Sequence, residues 1–307
     1  MCRLLGVITR EPTPLLEAVP DELPLFTALS EKHKDGWGAA WYSGAPGRAG
    51  TEDPSALEDV HADAASGLHV RRGIDTARAS NAYGETIAEA DGEIIIVHLR
   101  RASEGLALAL ENTHPFTEGP VAFAHNGQFD MPAGLREKVL ALGGRPVRGT
   151  TDSEIYFSLI TVHAREHGWA GAIQRAAADL TRWIPELGGR YPEGLNCLLM
   201  TPDALIAYAQ SDPEQLQATS TWDTYDLCWR VDAHRVLVSS TGYDQPGFAV
   251  IEQGCAIEIA RTSLEVREHA ALPGFQLSTA RAEGEAAWAA RRPDAPGAQA
   301  SLLATTA

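Results

Sequence analysis

The chain has 307 residues, 44% of them hydrophobic, and a formal net charge of −16 from 41 acidic against 25 basic side chains. That length allows one large domain or two small ones with a sizeable core, and the scattered acidic excess leaves no basic stripe for a nucleic-acid partner. The four cysteines, Cys2, Cys197, Cys228 and Cys255, are far apart with no C-x-x-C spacing, which argues against a disulfide framework or zinc ribbon and for a reducing cytoplasm. Leu4 to Ile8 runs straight into Thr9, Arg10 and Glu11, too short for a signal peptide's apolar region. No run approaches the ~18 apolar residues of a membrane span, so a soluble cytoplasmic protein without membrane contact is expected.

Cys2 to Ile8 is the first strand candidate, ending at Thr9-Arg10-Glu11-Pro12. Residues 13 to 34 read as loop and short helix, because Pro14, Pro20 and Pro24 interrupt any long period. Asp35-Gly36-Trp37-Gly38 is a turn feeding an aromatic strand to Tyr42, and 43 to 66 reads as a surface excursion rich in Gly, Ala, Pro, Asp and Glu. Leu68 to Arg72 is a short strand, and Asp75 is placed to cap a helix reaching about Ala90. Glu93 to Arg101 is a firmer strand, its run Ile94-Ile95-Ile96-Val97 implying burial on both faces. A loop over Glu111 to Phe116 precedes the strand Val121 to His125, which meets the turn dipeptide Asn126-Gly127. Thr151-Asp152-Ser153-Glu154 has the spacing of a capping box and opens a helix to about His167, followed by a second from Trp169 to about Leu187. Short strands then follow over 195–200, 205–210, 227–231, 236–240, 248–251 and 256–261. The expected domain covers 2–277, and the Ala-rich stretch 278–307 reads as a frayed or disordered tail.

The chemistry begins at Cys2. Once the initiator is trimmed, this residue carries a thiol and a free α-amine on one carbon; the amine titrates near ~8 and can take the thiol's proton directly or through one water. Taken alone, Cys2 can equally be a small residue starting a buried strand. Arg100 or Arg101, at a strand's end, can clamp a carboxylate, and either can equally be a surface charge. The Asn126 amide and the Gly127 N–H can hold an oxyanion, or the pair can be only a hairpin turn. Asp152 can bind an ammonium, or with Glu154 do no more than cap a helix. The ten histidines show neither H-x-H nor H-E-x-x-H spacing, so neither metal nor cofactor is expected.

Met-Cys at the start, H-x-D-G-W-G from His33, V-H-x-R-x-A-S from Val97, N-T-H-P-F from Asn112, F-A-H-N-G from Phe123 and T-D-S-E from Thr151 occur in this order. Together they resemble the class II glutamine amidotransferase domain over Cys2 to about Ala271. The similarity is greatest to stand-alone members such as the γ-glutamyl amidohydrolase of ergothioneine biosynthesis. The resemblance implies an α+β N-terminal-nucleophile hydrolase fold, a four-layer αββα sandwich of two antiparallel sheets. It also implies roles: Cys2 as nucleophile with its own amine as base, and Asn126 with Gly127 as oxyanion hole. Arg100 and Ser103 would take the substrate's α-carboxylate and Asp152 its α-ammonium, while His125 and Asp35-Gly36 shape the pocket. Larger family members have an aromatic residue where this chain has Arg101; alternation along a strand lets only one of Arg100 and Arg101 enter the pocket, and motif order favours Arg100. The expected activity is hydrolysis of the γ-amide of glutamine or of a γ-glutamyl amide, a small-molecule substrate. A glutaminase subunit feeding ammonia to a separate synthase, and a non-catalytic glutamine-binding protein, are the alternatives.

Overall fold

Side-chain alternation on a few apolar strands dictates the layering. The computed structural model describes residues 2–43, 58–63, 65–103, 105–212 and 225–275, so the predicted tail and most of the 43 to 66 segment lie outside the described residues. In chain order the strands are β1 (Arg3–Pro14), β2 (Trp37–Tyr42), β3 (Glu58–Asp63), β4 (Leu68–Gly73), β5 (Asp91–Leu99), β6 (Phe116–Glu118), β7 (Val121–Gln128) and β8 (Gly194–Met200). They continue with β9 (Ala204–Tyr208), β10 (Leu227–Val231), β11 (Arg235–Ser240), β12 (Ala249–Val250), β13 (Ala256–Ala260) and β14 (Val266–His269). The helices are α1 (Leu15–Ala18), α2 (Glu22–Ala28), α3 (Asn81–Glu89), α4 (Leu135–Ala141) and α5 (Asp152–Glu186).

An eight-stranded sheet has the order β12-β10-β11-β1-β5-β2-β4-β3, and a six-stranded sheet the order β14-β13-β9-β8-β7-β6. Both are antiparallel, and β1 sits near the middle of the larger one, between β5 and β11. Even-numbered residues of β1, β5, β7, β8 and β11, among them Leu4, Ile8, Ile94, Ile96, Ala122, Ala124, Leu198, Met200, Val236 and Val238, form the core between the sheets. Odd-numbered Leu5, Val7, Ile95, Val97 and Leu99 pack outward on Leu15, Phe26, Tyr83 and Ile87 of α1, α2 and α3. On the opposite side Phe123, Leu195, Cys197 and Leu199 pack on Leu135 and Val139 of α4 and on Ile155, Ile173 and Leu180 of α5. The result is the αββα sandwich. Truncating a fully buried central residue such as Leu4 or Leu198 to Ala costs about 2–5 kcal/mol.

Several local expectations are corrected. Within the 43 to 66 segment, 58–63 forms β3 and pairs along all of β4. Asp75 does not cap a helix: its carboxylate accepts from Trp37 Nε1 at 2.7 Å, and Ser80 caps α3 by accepting from Tyr83 N at 3.2 Å. Thr151 accepts from Glu154 N at 3.2 Å, but Glu154 turns to the preceding loop and accepts from Arg148 N at 2.9 Å and Gly149 N at 2.8 Å. Only half of the capping box therefore forms. The two predicted helices are the two halves of α5, separated by Gly168 at φ 64° and ψ 171°. No helix among the described residues is long and apolar enough to cross a membrane.

The inter-sheet core contains a polar intrusion. His98 follows Ile94 and Ile96 on the inner face of β5, and its ring lies 4.3 Å, centroid to centroid, from that of His114. Gly38 on neighbouring β2 makes room for the His114 segment, since a Cβ there would stand 2.0 Å from the His114 carbonyl oxygen. None of the four ring nitrogens meets a hydrogen-bond partner at normal geometry, although the nearby His125 backbone favours the protonated form of His98. Burial first, then Arg100, lowers the His98 pKa to about 3, and burial likewise holds His114 well below the ordinary histidine range. Between about pH 6.5 and 3 the unfolded chain binds a proton that native His98 refuses, so the native state loses stability as pH falls, by up to ~1.4 kcal/mol per pH unit per such histidine. His98→Gln is expected to flatten the fall of the urea midpoint between pH 6 and 4. An unchanged slope would assign the acid lability to other groups.

Candidate active site

The inner faces of both sheets turn polar at one end, and each polar residue continues an apolar row. Cys2 precedes Leu4, Arg100 follows His98, Asn126 follows Ala124, Asn196 precedes Leu198, and Ser240 follows Val238. All five are buried: Cys2 8% exposed, Arg100 2%, and the other three fully so.

Asn126 ties the two sheets together. Its Oδ1 accepts from the Cys2 backbone nitrogen at 2.9 Å, which turns its Nδ2 toward Ser240 Oγ at 3.5 Å. The same serine hydroxyl accepts from Leu4 N at 3.0 Å and so steadies the first residues of β1. Asn126-Gly127 is no turn: β7 runs on to Gln128, with Asn126 opposite Asn196 and Gly127 opposite Leu195. Asn196 is itself fixed, its Oδ1 accepting from Gln210 N at 2.8 Å and its amide donating to the Tyr225 carbonyl. At Gly127 a Cβ would come within 1.8 Å of the Gly194 carbonyl oxygen and 2.5 Å of His125 Nε2, so only glycine fits. An asparagine amide and the flanking main chain are thereby held rigidly beside the cysteine, an arrangement able to stabilise negative charge on an oxygen.

Strand alternation separates the two arginines as expected. Arg100 shares the inward parity of His98, and Arg101 is exposed. The Arg100 guanidinium donates to the carbonyls of Asp35 at 3.2 Å and Ala107 at 3.1 Å, while its main chain pairs with Asp35 and Gly36. Burial weakens the charged form of Arg100, and Cys2 and Asp35 favour it. The Asp35 carboxylate also accepts from Ala102 N at 2.9 Å, closing the loop after β5 onto the H-x-D-G-W-G segment. Arg101 contributes its carbonyl, toward which the Cys2 thiol points at 3.8 Å.

Asp152 opens α5 at the same end. Its Oδ2 accepts from Phe129 N at 3.0 Å, and its Oδ1 accepts from Ser153 N at 2.8 Å and Ser153 Oγ at 3.2 Å. Ser103 is exposed and donates to Gln128 Oε1 at 2.9 Å. His125 points to the helix side of β7, with its ring nitrogens 2.9 Å from Ser153 Oγ and 3.1 Å from the Gly194 carbonyl. Burial lowers its pKa, against the pull of Asp152. Its place is behind Asn126 and Gly127, where it braces the strand against α5.

Four residues near this end lay outside the sequence reading: Asn196, Ser240, Glu193 and Tyr225. Asn196 carries a signal of sorts, a single amide in the apolar run Leu195 to Met200. Ser240 merely ends a strand, and Tyr225 and Glu193 stand in polar connections, so only the folded chain brings them in. Among the described residues no three His, Cys, Asp or Glu side chains converge closely enough to hold a metal ion.

Comparison with known proteins bears on the family and the fold. The family model described as class II glutamine amidotransferases matches residues 1–228. A putative glutamine amidotransferase of Escherichia coli, YafJ, is 30% identical over 228 residues, covering 69% of this chain and 74% of the relative. An uncharacterised protein of Methanocaldococcus jannaschii is 29% identical over 68% of this chain, which spans only 50% of that relative's length. Among solved structures, a class II glutamine aminotransferase domain protein from Silicibacter pomeroyi superposes with a TM-score of 0.60 at 19% identity, over 89% of this chain and all of the other, a likeness of fold. With a family model spanning well over half its length and the two-sheet architecture in agreement, the chain belongs to the class II glutamine amidotransferases.

Proposed function

We propose that the protein is an amidohydrolase that cleaves the γ-amide of glutamine or of a γ-glutamyl amide through a thioester on Cys2. The observation that carries this reading is the 2.9 Å bond between the Cys2 nitrogen and Asn126 Oδ1, which sets the nucleophile's own nitrogen against the side chain best placed to meet an oxyanion. Removal of Met1 would convert that nitrogen into an amine. The amine accepts the thiol proton as Sγ attacks the γ-carbonyl, and charge gathers on the carbonyl oxygen facing Asn126 Nδ2 and Gly127 N–H. The C–N bond then breaks, the ammonium of Cys2 returns its proton to the leaving nitrogen, and ammonia or an amine departs. Water, deprotonated by the same amine, attacks the thioester and frees glutamate with the thiol. Arg100 and Ser103 hold the α-carboxylate in this reading, and Asp152 the α-ammonium.

Active protein should have the mass of a chain beginning at Cys2, because an acylated nitrogen cannot serve as the base. Full activity with Met1 retained would overturn the mechanism. Cys2→Ala should abolish hydrolysis with little change in thermal midpoint.

For the carboxylate clamp, Arg100→Lys should raise KM about 10- to 100-fold, the loss of a bidentate charge-assisted contact. Arg101→Ala should change KM less than about twofold, since an exposed charge adds little. Steady-state kinetics on both variants would reassign the clamp if the effects were reversed.

These handles recognise only the glutamyl half that every γ-glutamyl amide shares. A bulky amide should therefore be turned over at least as efficiently as glutamine, because contacts to the amine portion can raise kcat as well as lower KM. A kcat/KM series on glutamine and several γ-glutamyl amides tests this. Glutamine far ahead of every bulky amide, with activity rising on addition of a synthase, would instead identify an ammonia-supplying subunit.

A further inference from the structure

We infer that Glu193 is a specificity-determining residue of this site, its carboxylate, oriented by Tyr225, joining Asp152 as receptor for the substrate's α-ammonium. The inference rests on the γ-glutamyl reading above.

It starts from the acceptors available to an ammonium. An ionised carboxylate offers about four lone-pair positions. Those of Asp152 already receive Phe129 N, Ser153 N and Ser153 Oγ. An ammonium brings three N–H donors, more than the one lone-pair position that Asp152 has left can receive.

Glu193 supplies what is missing. It is 5% exposed, and its main chain is fixed by Glu193 N donating to the Gln128 carbonyl at 2.9 Å and Asp212 N donating to its own carbonyl at 3.0 Å. The peptide unit that takes the first of these bonds also donates Phe129 N to Asp152, so one rigid link separates the two acidic residues. The Tyr225 hydroxyl donates to Glu193 Oε1 at 3.0 Å. Tyr225 is fully buried, and a Cβ on Gly194 would come 3.2 Å from its ring and 3.3 Å from the Gly127 Cα. The phenol is thus wedged beside the proposed oxyanion hole, within electrostatic reach of Glu193, Cys2 and Asp152.

Among the described residues no cation stands at ion-pair distance from Glu193. Arg190, which acts on it weakly, is an exposed side chain bonded to Asp130. Burial accordingly pushes the Glu193 carboxyl upward, against the Tyr225 hydroxyl, the chain's amino-terminal charge and Arg190. A buried carboxylate with one hydroxyl donor is costly until a cation arrives, and the α-ammonium is the cation that a γ-glutamyl substrate carries.

Glu193→Gln keeps the shape and an acceptor for Tyr225 but removes the charge. The test compares L-glutamine with glutaramate, the same amide without its α-amino group, on the full-length enzyme. The variant should lose about 10- to 100-fold in kcat/KM on glutamine, chiefly through KM, and change less than about twofold on glutaramate. Binding of both compounds to Cys2→Ala protein, with and without Glu193→Gln, should show the same selective loss by calorimetry. Equal losses on both compounds would overturn the inference and point to an action on the Cys2 amine, and no loss on either would leave Glu193 a structural role only. Failure of the unsubstituted enzyme to hydrolyse any γ-glutamyl amide would remove the underlying reading, and this inference with it.

Discussion

One hydrogen bond spans the two sheets at the point where the chemistry is proposed, from the Cys2 nitrogen to Asn126 Oδ1. β1 belongs to the larger sheet and β7 to the smaller, so the bond's length depends on how the whole sandwich closes. That closure is set by the interdigitated apolar rows of Leu4, Ile96, Ala124, Leu198 and Val238. Packing of this kind resists small displacements, because a core at crystal-like density offers few alternative arrangements. Two short loops would give no comparable control over the position of a nucleophile. Placing it at the head of a central strand does, and the neighbours β5 and β11 hold that strand on both sides.

The same layer shows the cost of a polar site inside an apolar sandwich. Passing along β5, the inner face changes from Ile94 and Ile96 through His98 to Arg100. His98 is the transitional residue, buried, neutral and set at a tilt against the His114 ring, between hydrocarbon on one side and a guanidinium on the other. A protonated ring there would face Arg100 at close quarters, so neutrality of the histidine and permanence of the arginine's charge belong together. Arg100 is in turn bonded to main-chain carbonyls, and among the described residues no carboxylate forms a salt bridge with it. Bonded this way it stays attractive to an incoming anion, which a pre-formed Arg–Asp pair would not.

Much of this was legible in the residues. The run Ile94 to Val97 implied a strand buried on both faces, and it lies second from β11 in the larger sheet with helices on one side and the second sheet on the other. Period-two alternation separates Arg100 from Arg101, and the burial of the first and exposure of the second follow it. Asn126-Gly127 misled because the dipeptide's turn preference is local, whereas its partners Asn196 and Leu195 lie about seventy positions onward and hold it extended. Strands β3, β6 and β14 escaped notice for the opposite reason. They are edge strands of 6, 3 and 4 residues, too short or too polar to print a period. Asp75 was a sound cap by type, but Trp37 Nε1, arriving from another strand, offered it a buried partner.

What the sequence could not reveal is how acidic groups divide their work. Asp152 and Glu193 are both carboxylates near one end of the sandwich, yet their surroundings differ. The first already receives two main-chain donors and one serine hydroxyl, as expected of a residue that starts a helix and anchors the strand beside it. Such a group is strongly oriented but has little acceptor capacity to spare. Among the described residues the second receives one phenolic donor, and burial disfavours its charge, so it has acceptor capacity to spare and gains from a cation near it. Orientation and appetite for a cation are difficult to combine in one side chain, because the hydrogen bonds that fix a carboxylate also fill its lone pairs. Dividing them between two residues joined through the Gln128–Phe129 peptide resolves that conflict.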